Sequence, residues 1–156
     1  MAKAENIVTS IRVEIDAPAS LVWEVLTDIG RYGEWNSFCP RIDSTLTLGE
    51  PVHMHISVPG LAEPMLVSET LVAFEPPRLL SWEMRPSAQN KDAARRDQYI
   101  EPLGENRCAY VTTDIFLGVN AETIMQTQGP WVKQAFDMVA REVKQRAEAL
   151  HAAAKG

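Results

Sequence analysis

Positive charge is scarce in this chain: 15 Lys and Arg against 21 Asp and Glu leave a net charge of −6. A nucleic-acid surface needs a basic footprint, so no such partner is expected. Cysteine is scarcer still. Cys39 and Cys108 are the only 2, which points to neither a disulfide framework nor a Cys-x-x-Cys zinc site; spacing alone leaves a Cys39–Cys108 pairing open. The opening MAKAENIVTS carries no apolar stretch of the signal-peptide kind, and no run approaches the roughly 18 apolar residues of a membrane span. The expectation is a cytoplasmic protein with reduced thiols and no integral membrane association. A phosphate-cradling glycine loop, a zinc-ligand spacing and a Ser-His-Asp arrangement are missing as well, so no metal and no cofactor are expected.

What remains is ordinary globular material. The 156 residues, 46% hydrophobic and 23% charged, fit one domain over 1–156, with enough buried surface for a core and a cavity. IVTSIRVEI alternates, setting Ile7, Thr9, Ile11, Val13 and Ile15 against Val8, Ser10, Arg12 and Glu14, the pattern of a half-buried strand. Asp16 is a candidate N-cap ahead of Pro18, and Leu21, Val22, Val25, Leu26 and Ile29 recur at helical spacing. Gly30 and Gly33 allow a break, so a second short helix or turn is expected to carry Tyr32 and Trp35. From residue 41 onward six more strands follow: RIDSTLTL, VHMHISV, MLVSETLVAF, LLSWEM, RRDQYIE and RCAYVTTDIFL, with turns at Gly49-Glu50-Pro51, Pro59-Gly60 and Pro76-Pro77.

The period then changes. Val132, Phe136, Val139, Val143, Ala147 and Leu150 share one face of an amphipathic helix of about six turns, with Pro130 suited to its first turn. AETIMQTQ reads as a separate turn of helix, because Gly129-Pro130 interrupts it. The order implies an α+β fold: a seven-stranded antiparallel sheet curled around one long C-terminal helix, with two short helices after the first strand. Such a curled sheet leaves space between its concave face and the helix.

IDAPASLVWEVLTDIGRYGEWN resembles the opening of the START-like, or SRPBCC, superfamily: a first strand, an Ala-Pro turn, a Val-Trp helix and a Tyr-x-x-Trp end. ETLVAFEPPRLLSW resembles its central hairpin, IEPLGENRCAYVTTDIFLG its last hairpin and REVKQRAEAL its C-terminal helix. The resemblance covers nearly the whole chain and implies the helix-grip fold. Its members include polyketide cyclases and dehydratases, lipid and sterol carriers, hormone receptors and chaperone activators, so fold does not fix chemistry. Two departures stand out: Asn106-Arg107 replaces a glycine-threonine pair, and Gly129-Pro130 precedes the long helix. Trp23 and Trp35 match scaffold positions. Truncating Trp35 to Ala is therefore expected to cost about 3–5 kcal/mol if it is fully buried.

The implied function is binding of a hydrophobic or aromatic small molecule, lipids included, in the cavity. A cofactor-independent cyclase or dehydratase-type lyase is the first alternative and a chaperone-activator-like protein-binding module the second. His53 and His55 share a strand face, but the apolar face is Val52, Met54, Ile56 and Val58, so both histidines are expected in solvent. Glu69 shares a face with Val67, Leu71 and Ala73; the competing parity turns Val72 and Phe74 inward and Glu69 outward, and the outward reading is slightly preferred. An inward Glu69 would have its pKa raised by desolvation and serve as acid or base. On RRDQYIE, matching the family hairpin places Arg96, Gln98 and Ile100 inward, while the other parity selects Asp97, Tyr99 and Glu101. On the next strand, apolarity favours Ala109, Val111, Thr113 and Ile115. The family match favours Tyr110, Thr112, Asp114 and Phe116, where a Tyr110–Asp114 pair could manage a proton on a phenol or enol. The candidate acid/base set is Glu69, Arg96, Tyr99, Tyr110 and Asp114. Met54, Trp82, Met84, Gln98, Phe116, Phe136 and Val139 are the candidate ligand contacts.

Overall fold

Six consecutive hairpin-linked strands form the body of the sheet, and the chain's first strand returns to close its far edge. The computed structural model describes residues 6–155; residues 1–5, part of the opening considered above for a signal sequence, lie outside the described residues. The strands are β1 (Ile7–Thr9), β2 (Val13–Ile15), β3 (Arg41–Ser44), β4 (Pro51–Ile56), β5 (Met65–Glu75), β6 (Leu79–Met84), β7 (Ala93–Gly104) and β8 (Arg107–Leu117). They pair antiparallel in the order β1-β8-β7-β6-β5-β4-β3, with β2 also on β8. Helix α1 (Ala19–Thr27) and a 3-10 helix (Ile29–Glu34) follow β2, and α2 (Ala121–Lys155) ends the chain. This is the helix-grip architecture.

Strict alternation fails at three places; the one between Pro102 and Gly104 lies at the end of the last hairpin, and the other two matter for what faces inward. Thr9 pairs with Thr113 but Val13 with Tyr110, so the first strand holds one extra residue there and splits into β1 and β2. A one-residue insertion exchanges the faces. Val8 and Ser10 are buried before the break, Val13 and Ile15 after it. The single buried set expected from alternation is therefore wrong in its first half. The break is tied down, because the Ile11 N–H donates to Asp137 Oδ1 of α2 at 2.8 Å. In β5 the register shifts between Leu71, opposite Trp82, and Ala73, opposite Ser81. Leu71 faces the core, and beyond the shift Phe74 turns in beside Trp23, ring centroids 5.1 Å apart.

Three helix expectations need correction. Asp16 is not the N-cap of α1: Pro18 occupies that position with no side-chain cap, and Asp16 instead pairs with Arg107. Gly129-Pro130 does not divide α2, which runs unbroken for 35 residues, about ten turns. Burial carries the helix across the proline, since Ala121, Val132 and Phe136 belong to one apolar cluster with Val8 and Phe116, and Ile124 packs against it. Leu150 is exposed rather than part of the buried face. The main core lies at the other end, where Val139, Ala140, Val143 and Ala147 meet α1 and β2 with Ile15, Val22, Leu26 and Tyr110. Tyr32 anchors the 3-10 helix there, its hydroxyl donating to the Leu26 carbonyl at 2.5 Å.

Candidate functional site

Cross-strand register sets out the floor of the site. Leu71, Trp82, Arg96 and Asp114 form one lateral row across β5 to β8. Glu69 and Val67 lie further along β5, beside Val52 and Met54 of β4. Trp131, Val132 and Phe136 of α2 stand over this floor, and Phe38 enters from the segment before β3. Between them is a cavity of about 160 Å³, lined by Phe38, Met54, Ile56, Val58, Met65, Val67, Glu69, Trp82, Met84, Arg96, Asp114, Trp131, Val132 and Phe136. Three of these side chains are ionisable, and the rest are apolar or aromatic.

Arg96 is the centre of the arrangement, only 7% exposed. Its Nε donates to Thr112 Oγ1 at 3.1 Å and its Nη2 to Gln98 Oε1 at 3.5 Å. Both partners are neutral, and most of the guanidinium's five donors stay free for something else. Three rings surround the charge: Phe136 at 4.4 Å from centroid to Cζ, Phe38 at 5.7 Å and Trp82 at 5.9 Å. Gln98 is itself fixed, because its Oε1 also accepts from the buried Tyr110 hydroxyl at 2.6 Å.

The two carboxyls are shifted in the same direction. Burial pushes Glu69 up to about 7, with Glu83 adding to the rise and Arg96 opposing it. Asp114 is raised well above its ordinary value, first by burial and then by Glu69, again against Arg96. Near neutral pH the cavity therefore holds one fixed positive charge and carboxyls that keep their protons readily. Such a set can accept an oxyanion or enolate at Arg96 and supply or remove a proton beside it.

The family described as polyketide cyclase / dehydrase and lipid transport matches residues 6–154. The chain belongs to that family. Among solved structures it is similar to the Zhui aromatase/cyclase from Streptomyces sp. R1128, at 20% identity and TM-score 0.73, covering 91% of this chain and 93% of that one. A START superfamily protein from Mycobacterium smegmatis is 15% identical with TM-score 0.68, covering 92% and 98%. A Thalictrum flavum norcoclaurine synthase point mutant, in complex with a transition-state analogue, is 15% identical with TM-score 0.63, covering 96% of each chain. At such identities the likeness is one of fold. No curated protein sequence matches the chain.

In this polyketide cyclase-like domain the residues singled out from sequence fall into three groups. Glu69, Arg96, Asp114, Met54, Trp82, Met84 and Phe136 line the cavity. The outward preference for Glu69 is thereby corrected: β5 keeps Val67, Glu69 and Leu71 on the concave side until the bulge, and only beyond it does Phe74 turn in. Tyr110, Gln98, Val139 and Phe116 are buried but do not line the space. Tyr110 reaches the site through Gln98, and it makes no hydrogen bond to Asp114, so the expected Tyr110–Asp114 pair does not form. Val139 belongs to the closed core and Phe116 to the outer cluster.

Tyr99 is on the wrong side for this cavity. Since Arg96 and Gln98 face inward, Tyr99 stands on the convex face, 41% exposed. That face has polar order of its own: Asp97 bonds Ser81 and receives Arg95 Nε at 3.0 Å. His53 is exposed there, with Nδ1 2.7 Å from Ser68 Oγ. No group of His, Cys, Asp and Glu able to hold a metal occurs among the described residues. Cys39 and Cys108 are buried free thiols, each pushed up to about 11 chiefly by burial.

Sequence reasoning missed Phe38, Ile56, Val58, Met65, Val67, Trp131 and Val132 as lining residues. Trp131 carries a usable signal: it sits one position off the apolar stripe of α2, at the stripe's edge, where a cavity mouth would be. Phe38 carries none, because its segment is irregular and has no period to read.

Proposed function

We propose that this domain binds a small apolar, ring-containing molecule in the cavity, with an anionic or enolisable oxygen of that molecule placed against Arg96. The observation that carries this reading is a guanidinium bonded only to neutral partners at the end of an apolar space. A buried charge without a counter-charge at bonding distance is costly, and a ligand oxyanion would relieve that cost with charge-assisted hydrogen bonds. The ring faces of Phe38, Trp82 and Phe136 would pack the ligand's apolar body. On this reading the chain acts as a single START-like domain, in the cytoplasm. Among the described residues no helix is long and apolar enough to cross a membrane.

The raised carboxyls favour a second reading on the same geometry, a cofactor-independent cyclase or dehydratase-type lyase. A carboxyl titrating near neutrality beside a bound oxyanion can take a proton from a carbon next to a carbonyl or protonate a departing hydroxyl. Arg96 would hold the enolate while Glu69 or Asp114 moves the proton. Native and then denaturing mass spectrometry of the purified protein, wild type beside Arg96→Met, tests the binding reading. It expects a small-molecule mass carried by the wild type and lost from the variant, or an added aromatic carboxylate retained by the wild type alone. Equal retention by both proteins would overturn it.

A further inference from the structure

Outside the cavity lies a larger groove of about 370 Å³, formed by Ser37 and Phe38, by Ser57, Val58 and Pro59 after β4, and by Trp131, Gln134, Ala135 and Met138 of α2. Phe38, Val58 and Trp131 line both spaces. The Phe38 and Trp131 rings, 6.1 Å apart, thus stand where an inner chamber meets an outer channel. The channel walls are held in place. The Ser57 N–H donates to the Phe38 carbonyl at 2.9 Å, and the Trp131 indole N–H donates to Gln128 Oε1 at 2.7 Å.

Size and chemistry differ between the two spaces. An apolar cavity of about 150 Å³ holds one benzene ring, and the inner chamber has about 160 Å³. Ligand pockets usually run to roughly 300–1,000 Å³, so the chamber is small for a whole ligand and the groove brings the joined space into that range. All ionisable groups lie in the chamber; the groove lining has none. Its apolar surface includes Met138, 47% exposed, an adaptable thioether side chain.

Building on the function proposed above, we infer that chamber and groove are one elongated site for a ligand with a single-ring, oxygen-bearing head and a linear uncharged tail. The head occupies the chamber against Arg96. The tail passes Phe38 and Trp131 and lies along Ala135 and Met138.

Calorimetric titration with benzoate and with 4-butyl- and 4-octylbenzoate tests this. In the wild type, affinity rises about fourfold for each methylene that reaches the groove, so three or four chain carbons lying there give on the order of 100-fold between benzoate and 4-octylbenzoate. Ala135→Glu and Met138→Lys place a charge in the channel from the solvent-facing side of α2. In whichever of the two keeps the wild-type circular dichroism, the ratio of octylbenzoate to benzoate affinity falls to within about threefold. A wild-type series with no gain from chain length overturns the elongated site and leaves the Arg96 reading standing. The same holds if the gain survives both substitutions. A gain present in the wild type and in Arg96→Met alike, with benzoate held equally by both, supports the groove and overturns the head assignment instead. No binding of any of the three probes overturns both.

Discussion

The two halves of helix α2 cover the same sheet with opposite results. From Val139 to Ala147 the buried residues are small or branched, and Ala140 and Ala147 are wholly buried. They let the helix settle onto α1 and β2, and the space is filled by Val22, Leu26, Tyr32 and Tyr110. From Trp131 to Phe136 the inward residues include two large rings, Trp131 and Phe136, and facing them on the sheet is Arg96, whose charge is lined by rings rather than neutralised. Here helix and sheet stand apart and a cavity remains. One half supplies stability, and the other gives up packing for a site.

The largest expected effect falls in the closed half. Leu26→Ala should cost about 2–5 kcal/mol, read as a fall in the denaturation midpoint, while the folded protein still binds an aromatic carboxylate. If that probe is lost at conditions where the variant is folded, the two halves are not separable. Next comes Arg96→Met in the open half. It should weaken the same probe at least tenfold with thermal stability equal or higher, because a buried charge held by neutral partners is replaced by an apolar side chain. A large loss of stability would make Arg96 a structural residue.

Smaller effects sharpen the contrast. Tyr32→Phe removes one buried hydrogen bond to the Leu26 carbonyl and should cost about 1 kcal/mol, visible by denaturant titration and absent from ligand affinity. Trp35 is only half-buried, so Trp35→Ala should fall below the about 3–5 kcal/mol of a fully buried aromatic. Glu69→Gln should show itself mainly through pH. Burial raises this carboxyl from 4.5 to about 7 in the folded protein, so its contribution is fully present below pH 4.5 and lost as pH rises through 7. The melting temperature of Glu69→Gln should therefore gain on that of the wild type between pH 4 and pH 8. A difference independent of pH would place Glu69 in ordinary contact with water. The same ionisation brings a negative charge beside Arg96, so benzoate should bind the wild type more weakly at pH 8 than at pH 6.

Much of this architecture is legible in the sequence. The alternation of VHMHISV set Val52 and Met54 inward, and the stripe from Val132 to Ala147 set the face of α2. What stayed hidden were the register shifts. A bulge adds one residue without any composition signal, so strand parity read from either end of MLVSETLVAF is right only as far as Leu71. Parity therefore misorients Glu69, since Phe74, which truly faces inward, argues against it. Within RRDQYIE only Ile100 is aliphatic, too little to decide between Arg96 and Tyr99, and hydrophobic periodicity cannot orient a strand that is otherwise polar on both sides. The Gly129-Pro130 break was overruled by packing of the first turns of α2 on Val8 and Phe116, which are remote in sequence.

The placement of the four tryptophans has an optical consequence. Trp82 lies 5.9 Å from the Arg96 guanidinium, and Trp131 stands where the chamber meets the groove, whereas Trp23 and Trp35 pack with Phe74 and Tyr32 away from it. Two indoles thus sit beside any occupant and two serve as a constant background. Occupancy should change emission from the first pair alone, so that single Trp82→Phe and Trp131→Phe proteins would report separately on the inner chamber and on its mouth. The fold carries its own pair of probes, one for each end of the path a ligand would travel.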